Sequence, residues 1–353
     1  MSEKEEIAPK VPNQERVANE PSVQEHQHES LLGDEKRREL EQKSVEQVEK
    51  KIEELKGEIE DADQENPWEN LKENSDLRQE KIKKYQERYF PKHLRGKKDI
   101  ISKALIGLVS MFGRVETEGR ENIPKKGPYF VVCNHPGGGE PEALMGTFKN
   151  LHIAIGKKIW WDRSPWLQWF FKKIGGIPIE ESLSNLSLKD KKEAMGLQKD
   201  KYAQAVFEEI IRMEEQGKLP INTEFVRAAV ALLLKGDSVC VFPEGLWLNP
   251  EGSALAPREK QELKKAYSAM MELIVRQYKK LTGEELPIMP VAFIEDRTSG
   301  KKKLSIGEPL SLDENNTELS GIDYVMAHVA ERLPEKQRGY YKDKIQSISK
   351  KTI

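Results

Sequence analysis

The sequence predicts an α/β fold preceded by a helical and disordered N-terminal extension, and three observations predict it. From Glu116 onward, short apolar runs alternate with amphipathic stretches, the pattern of a domain that alternates strands and helices. At 353 residues with 37% hydrophobic content the chain can bury a core, although 33% of it is charged. The first 80 residues differ from the rest: acids there outnumber bases by about two to one, and the sign then reverses.

Residues 1–33 are rich in Pro, Gln, Glu and Ser, hold few large apolar groups, and are expected to be disordered. Residues 34–80 read as a helical segment and a linker. Val45, Val48, Ile52, Leu55 and Ile59 follow the spacing of a coiled-coil seam. The pattern is short and contains Gly57, which favours a lone amphipathic helix over self-association through 40–60. The stretch KIKKYQERYFPKHLRGKK (81–98) is strongly basic, and DIISKALIGLVSMFG (99–113) is apolar but too short to span a bilayer. Two readings of 81–113 stand side by side: a basic arm and apolar helix lying in a membrane surface, or a solvated arm ahead of an ordinary core helix.

In the α/β region, apolar runs at 129–133, 151–155, 176–179, 238–242 and 288–294 read as buried strands. Helices are expected near 164–173, 223–235 and 258–281, with Asn222 or Thr223 as a cap and Gly236 as a stop for the second. Residues 182–221 form a charged insertion with an amphipathic helix in 190–218. The Lys-rich tail, 339–353, is expected to fray.

Several function classes drop out. A net charge of −2 implies no nucleic-acid partner. Cys133 and Cys240, the only two cysteines, sit in strand-like runs, which suits a reducing cytoplasm and is neither a disulfide framework nor a metal site. The start, MSEKEEIAPK, is not a signal peptide, and no apolar run reaches the ~20 residues a spanning helix needs.

The chemistry is concentrated in two loops. VVCNHPGGGEPEAL (131–144) runs from a strand into Asn-His, three glycines and an acid. The C-terminal ends of strands are where α/β sheets place their reactive groups. Gly137, Gly138 and Gly139 let the chain turn tightly and let a substrate approach. Glu140 can curl back on His135, fix its tautomer and stabilise the imidazolium formed on taking a proton. No Gly-x-Ser-x-Gly elbow is present, so the nucleophile of such a pair would be a substrate hydroxyl. Taken alone, a histidine in a glycine loop is also compatible with a turn that does no chemistry. The second loop, VCVFPEGLWLNPEG (239–252), runs from a strand into Phe242-Pro243-Glu244-Gly245. A glutamate at a strand end beside open backbone amides can bond substrate hydroxyls, and Gly245 lets a ligand come close.

In this order the two loops resemble the glycerolipid acyltransferase superfamily, of which the lysophosphatidate acyltransferases are the best-known members. The resemblance runs from about Ile100 to Leu333. NHPGGGEP is similar to the family's Asn-His-x-x-x-x-Asp-Pro, with Glu140 in the aspartate's place; FPEG (242–245) matches letter for letter. IGKKIWWDRSPWLQWFFKKIGGIPIE (155–180), LPIMPVAF (286–293) and KLSIGEPLSL (303–312) resemble the family's other blocks. The resemblance implies a mixed, mostly parallel sheet flanked by helices, with the acyltransferase domain at 114–338. It implies O-acyl transfer from acyl-CoA or acyl-carrier protein to a lysolipid hydroxyl, by default 1-acylglycerol 3-phosphate, at a membrane surface and with neither cofactor nor metal. His135 and Glu140 would be catalytic; Phe242, Pro243, Glu244 and Gly245, with Lys157 and Lys158, would bind substrate. Ordinary solvated lysines remain an equal reading of that pair. The groups from Trp160 to Phe171 are read as an acyl tunnel, a membrane face or core.

Two departures stand out. The family's second motif places arginine after its acid, where this chain has Glu181 after Glu180. Its third continues into Thr-Arg, where this chain has Leu246 and Trp247. Arginine's planar fork suits a phosphate, so Arg163 and Arg258 are candidates for the missing function. A different lipid acceptor, or a non-catalytic lipid-binding homologue, are the alternatives these departures leave.

Overall fold

The computed structural model describes residues 75–95, 100–112, 115–136, 139–181, 201–216, 222–245, 262–266, 269–296, 299–312, 319 and 321–349. The expected disordered segment 1–33 and the coiled-coil segment lie outside the described residues, as do Gly137, Gly138, Leu246, Trp247 and Arg258. In chain order the elements are α1 (Ser75–Tyr89), α2 (Ile100–Phe112), β1 (Glu116–Glu118), β2 (Phe130–Cys133), α3 (Glu140–Thr147) and β3 (Leu151–Gly156). A π-helical turn (Lys157–Trp161) leads to α4 (Pro165–Ile174), β4 (Ile177–Ile179), α5 (Lys201–Glu215), α6 (Thr223–Leu234) and β5 (Ser238–Val241). Then follow α7 (Ala269–Thr282), β6 (Ile288–Asp296), β7 (Lys301–Ile306), α8 (Gly321–Glu331) and α9 (Ile345–Ser349).

The strands form one seven-stranded sheet in the order β1-β7-β6-β2-β5-β3-β4. β6, β2, β5, β3 and β4 run parallel, β7 is antiparallel to β6, and β1 follows β7. The mixed, mostly parallel sheet expected from the sequence is therefore present, and each apolar run forms a strand. Central strands covered on both faces need continuous rather than alternating hydrophobicity, and all four residues of β2 are buried. The polar β1, Glu-Thr-Glu, sits at the sheet's edge, where charge discourages further pairing.

Side-chain alternation divides the core into two layers. Phe130, Val132, Val239 and Val241 face a cluster built with α6, α7 and α8. Val131, Cys133 and Cys240 face the other side with Ala143 and Leu144 of α3. Both cysteines are buried free thiols. α5 forms a smaller cluster, packing Val206, Phe207 and Ile210 on Ile159 of the π-turn.

Four local expectations change. The basic arm is not free over residues 75–95: α1 starts inside the expected linker and packs on α6 and α7. Aromatic–cation contacts hold it, with Arg227 over the Tyr89 ring at 5.1 Å and Lys235 over Phe90 at 4.8 Å. Asn222 leaves the α6 N-terminus uncapped by its side chain and instead accepts the Glu180 N–H at 2.7 Å, while Gly236 ends the helix as expected with φ 91°. Residues 262–266 are not helical, because their backbone N–H groups go to distant partners: Leu263 to the Gln337 carbonyl and Ala266 to the Tyr341 hydroxyl. The tail does not fray where it is described: Tyr341 is fully buried and also donates to Asp323 at 2.6 Å. α2 forms as expected. Ile100, Ile101, Leu108 and Met111 point outward from it, and among the described residues no helix is long and apolar enough to cross a membrane.

Candidate active site

β2 and β5 are parallel neighbours, so the loops that leave them emerge side by side at one sheet edge. Asn134 fixes the first loop. Its amide accepts the Phe293 N–H at 2.7 Å and donates to the Phe293 carbonyl at 3.0 Å, extending the β2–β6 ladder by a side chain. Gly139 then adopts φ 97°, a conformation that disfavours any side chain, and α3 begins at Glu140. A carboxylate is favoured there because the first turn of a helix presents unpaired N–H groups.

That turn brings Glu140 back onto His135, as expected. His135 Nδ1 lies 3.0 Å from Glu140 Oε1, with Glu140 only 1% exposed. An ionised carboxylate accepts only, so Nδ1 carries the proton and Nε2 presents a lone pair. The imidazole stacks on Phe242, ring centroids 4.5 Å apart. Burial works to lower the basicity of His135. The hydrogen bond and charge of Glu140, with the charge of Glu244, outweigh it and hold the imidazole above its ordinary value.

Glu244 is buried and joins the two loops. One oxygen accepts the His135 N–H at 2.9 Å and the other the Lys264 N–H at 3.0 Å. Burial raises its pKa, and the two N–H donors only partly offset that. Glu244, expected to meet substrate, uses both carboxylate oxygens as a strut between the backbone of His135 and that of Lys264. Pro243 is buried and Gly245 closes the turn, its N–H donating to the Phe242 carbonyl at 3.1 Å. The sequence missed Lys264, whose part is played by backbone, and Tyr341, which steadies the 262–266 segment through Ala266.

Lys157 and Lys158 sit on the same edge but belong to a separate group. Lys157 Nζ donates to Glu180 Oε1, and Lys158 Nζ donates to Glu209 Oε1 of α5 at 2.7 Å. Glu181, in the position where resemblance calls for arginine, is buried and accepts the N–H groups of Lys158 at 3.0 Å and Ile159 at 2.8 Å. It caps the π-turn. Arg163 lies over the Tyr202 ring at 5.4 Å. The aromatic stretch divides: Trp161 is buried and stacks on Phe171, whereas Trp160, Trp166 and Trp169 are exposed.

A search of curated proteins finds no match. Among solved structures, the crystal structure of the 1-acyl-sn-glycerophosphate (LPA) acyltransferase PlsC from Thermotoga maritima is similar at 16% identity. That match covers 72% of this chain and 84% of that one, with a TM-score of 0.40. A family model described as Acyltransferase matches residues 114–294, just over half of the chain. That span holds His135, Glu140 and the Phe242–Gly245 turn, and it makes this chain a member of the acyltransferase family.

Proposed function

We propose that the protein is an O-acyltransferase that moves a fatty acyl group from a thioester, acyl-CoA or acyl-carrier protein, to a hydroxyl of a glycerolipid. The observation that carries this reading is the 3.0 Å contact between His135 Nδ1 and the buried Glu140 carboxylate, which leaves Nε2 as the base. Nε2 takes the proton of the acceptor hydroxyl. The oxygen bonds to the thioester carbonyl carbon, the carbon–sulfur bond breaks, and the leaving thiolate takes the proton back from the imidazolium. No covalent acyl-enzyme is required. The Phe242–Gly245 turn forms the floor under the acceptor, with Phe242 keeping the imidazole face dry.

The resemblance makes 1-acylglycerol 3-phosphate the first acceptor to assay. A second reading, an acceptor without a phosphate monoester, is favoured by the carboxylates already bonded to Lys157 and Lys158. The enzyme would work at a membrane surface. Support comes from the exposed apolar residues of α2 together with Trp166 and Trp169 of α4, a helix packed against α2.

The test is thiol release from palmitoyl-CoA and from palmitoyl-acyl-carrier protein, with lysophosphatidate, other lysolipids and monoacylglycerol offered separately. Acceptor-dependent release that falls about 1,000-fold in His135→Ala supports the reading. Absence of release with every donor and acceptor sinks it in favour of a lipid-binding homologue.

A further inference from the structure

A second set of charges occupies the sheet edge beyond the base. Lys157 and Lys158 follow β3, two strands from β2, which is about 10 Å across the sheet. Glu180 follows β4, the next strand over. Its hydrogen bond holds the Lys157 ammonium above its ordinary value against the opposing effect of burial, and the carboxylates of Asp162 and Glu224 act in the same direction. Lys158 is engaged by Glu209. This last partner comes from the insertion. α5 is anchored at the site by the Tyr202 hydroxyl, which donates to the Lys158 carbonyl at 2.6 Å, and by Phe207 and Ile210 packed on Ile159.

Among the described residues the carboxylates here are Asp162, Glu180, Glu181, Glu209 and Glu224, and the cations are Lys157, Lys158 and Arg163, with Arg212 acting on Glu209 and Lys172 over the Trp161 ring. Each of the two lysines already holds a carboxylate partner. A phosphate monoester, itself nearly doubly charged, would have to break both lysine pairs and then face the released carboxylates. A hydroxyl would donate to those carboxylates, and an ammonium would pair with them.

We propose that this corner selects the acceptor by charge, refusing a phosphate monoester and taking a glycerolipid whose corresponding group is a hydroxyl or an ammonium. Glu180 and Glu209 are its specificity-determining residues, and the insertion helix α5 is present to deliver the second. The proposal rests on the acyl-transfer reading and narrows its acceptor.

Two measurements on the full chain test it. Calorimetry with glycerol 3-phosphate is expected to show binding about tenfold tighter to Glu180→Gln/Glu209→Gln than to the wild type. With palmitoyl-CoA, the wild type is expected to favour monoacylglycerol over lysophosphatidate. The double variant should move the ratio of the two kcat/KM values toward lysophosphatidate, again by roughly tenfold. Should the double variant fail to fold, Glu209→Gln alone, at an exposed helix position, is expected to move both readouts the same way by less. Equal glycerol 3-phosphate binding by wild type and variant, or a wild type that prefers lysophosphatidate with a ratio the variants leave unmoved, overturns the proposal. If the wild type acylates no acceptor, the acyl-transfer reading falls, and the calorimetry still decides the charge claim.

Discussion

At the end of β2 two carboxylates attend one histidine, Glu140 at its ring and Glu244 at its backbone N–H, and both are buried, at 1% and 4% exposure. At the ends of β3 and β4 the carboxylates that meet lysines remain in contact with water: Glu180 is 28% exposed and Glu209 47%. The difference separates two uses of the same residue type. Buried carboxylates in fixed hydrogen bonds hold a proton acceptor in one orientation and set its basicity. Solvated pairs contribute little to stability, about 0–1 kcal/mol each. On the proposed reading the first corner serves a reaction that needs one geometry, and the second would sort charges that arrive with different acceptors.

The largest expected effect comes from breaking the first corner. Glu140→Gln keeps the shape but removes the charge, and should lower kcat/KM by about 100-fold or more. The pH profile sharpens the point. His135 works only when neutral and is held above its ordinary pKa of about 6.5, so activity should be lost as pH falls through a value above that. In Glu140→Gln the larger raising influence is gone and only the charge of Glu244 remains, so this limb should move to lower pH. A limb that stays in place would remove Glu140 from its assigned role.

A smaller effect should follow from the residues that carry the strut. Tyr341→Phe removes the hydroxyl that bonds the Ala266 N–H and Asp323, leaving Asp323 only Lys344 among the described residues, and should cost about 1–3 kcal/mol in thermal or urea unfolding. Activity should fall by less than in Glu140→Gln, because the 262–266 segment loosens around Glu244 without releasing the base. The smallest effect concerns neither corner: Trp166→Ala/Trp169→Ala should weaken binding to anionic vesicles in flotation by roughly tenfold and leave thiol release in detergent unchanged. Unchanged flotation would remove α4 from the membrane face.

How much of this was legible follows the distance between partners. His135 and Glu140 are five positions apart, and the glycines between them announce a turn, so the pair is readable in the sequence. The strands were readable because parallel central strands are written as unbroken apolar runs. α1 was not, since a helix that buries no residue fully leaves little periodicity and is held by ring–cation contacts with α6. The Glu244 strut was half readable. The glutamate stands out in its turn, but one of its partners is the amide of Lys264, twenty positions on, and a backbone amide has no letter in the sequence. Tyr341 was hidden for the same reason, in a tail whose lysines suggest solvent.

Glu181 has a consequence for how this enzyme can change. Its carboxylate ties off the π-turn through two amides, and it reaches them across Gly156, where a methyl group would come within 2.6 Å of Oε1. Arginine at 181 would strand both amides and put a cation in their place, and any side chain at 156 would push the carboxylate away. The two positions are therefore locked to one another. A single substitution at either position disturbs the turn, and an arginine at 181 would need the turn to be closed in another way.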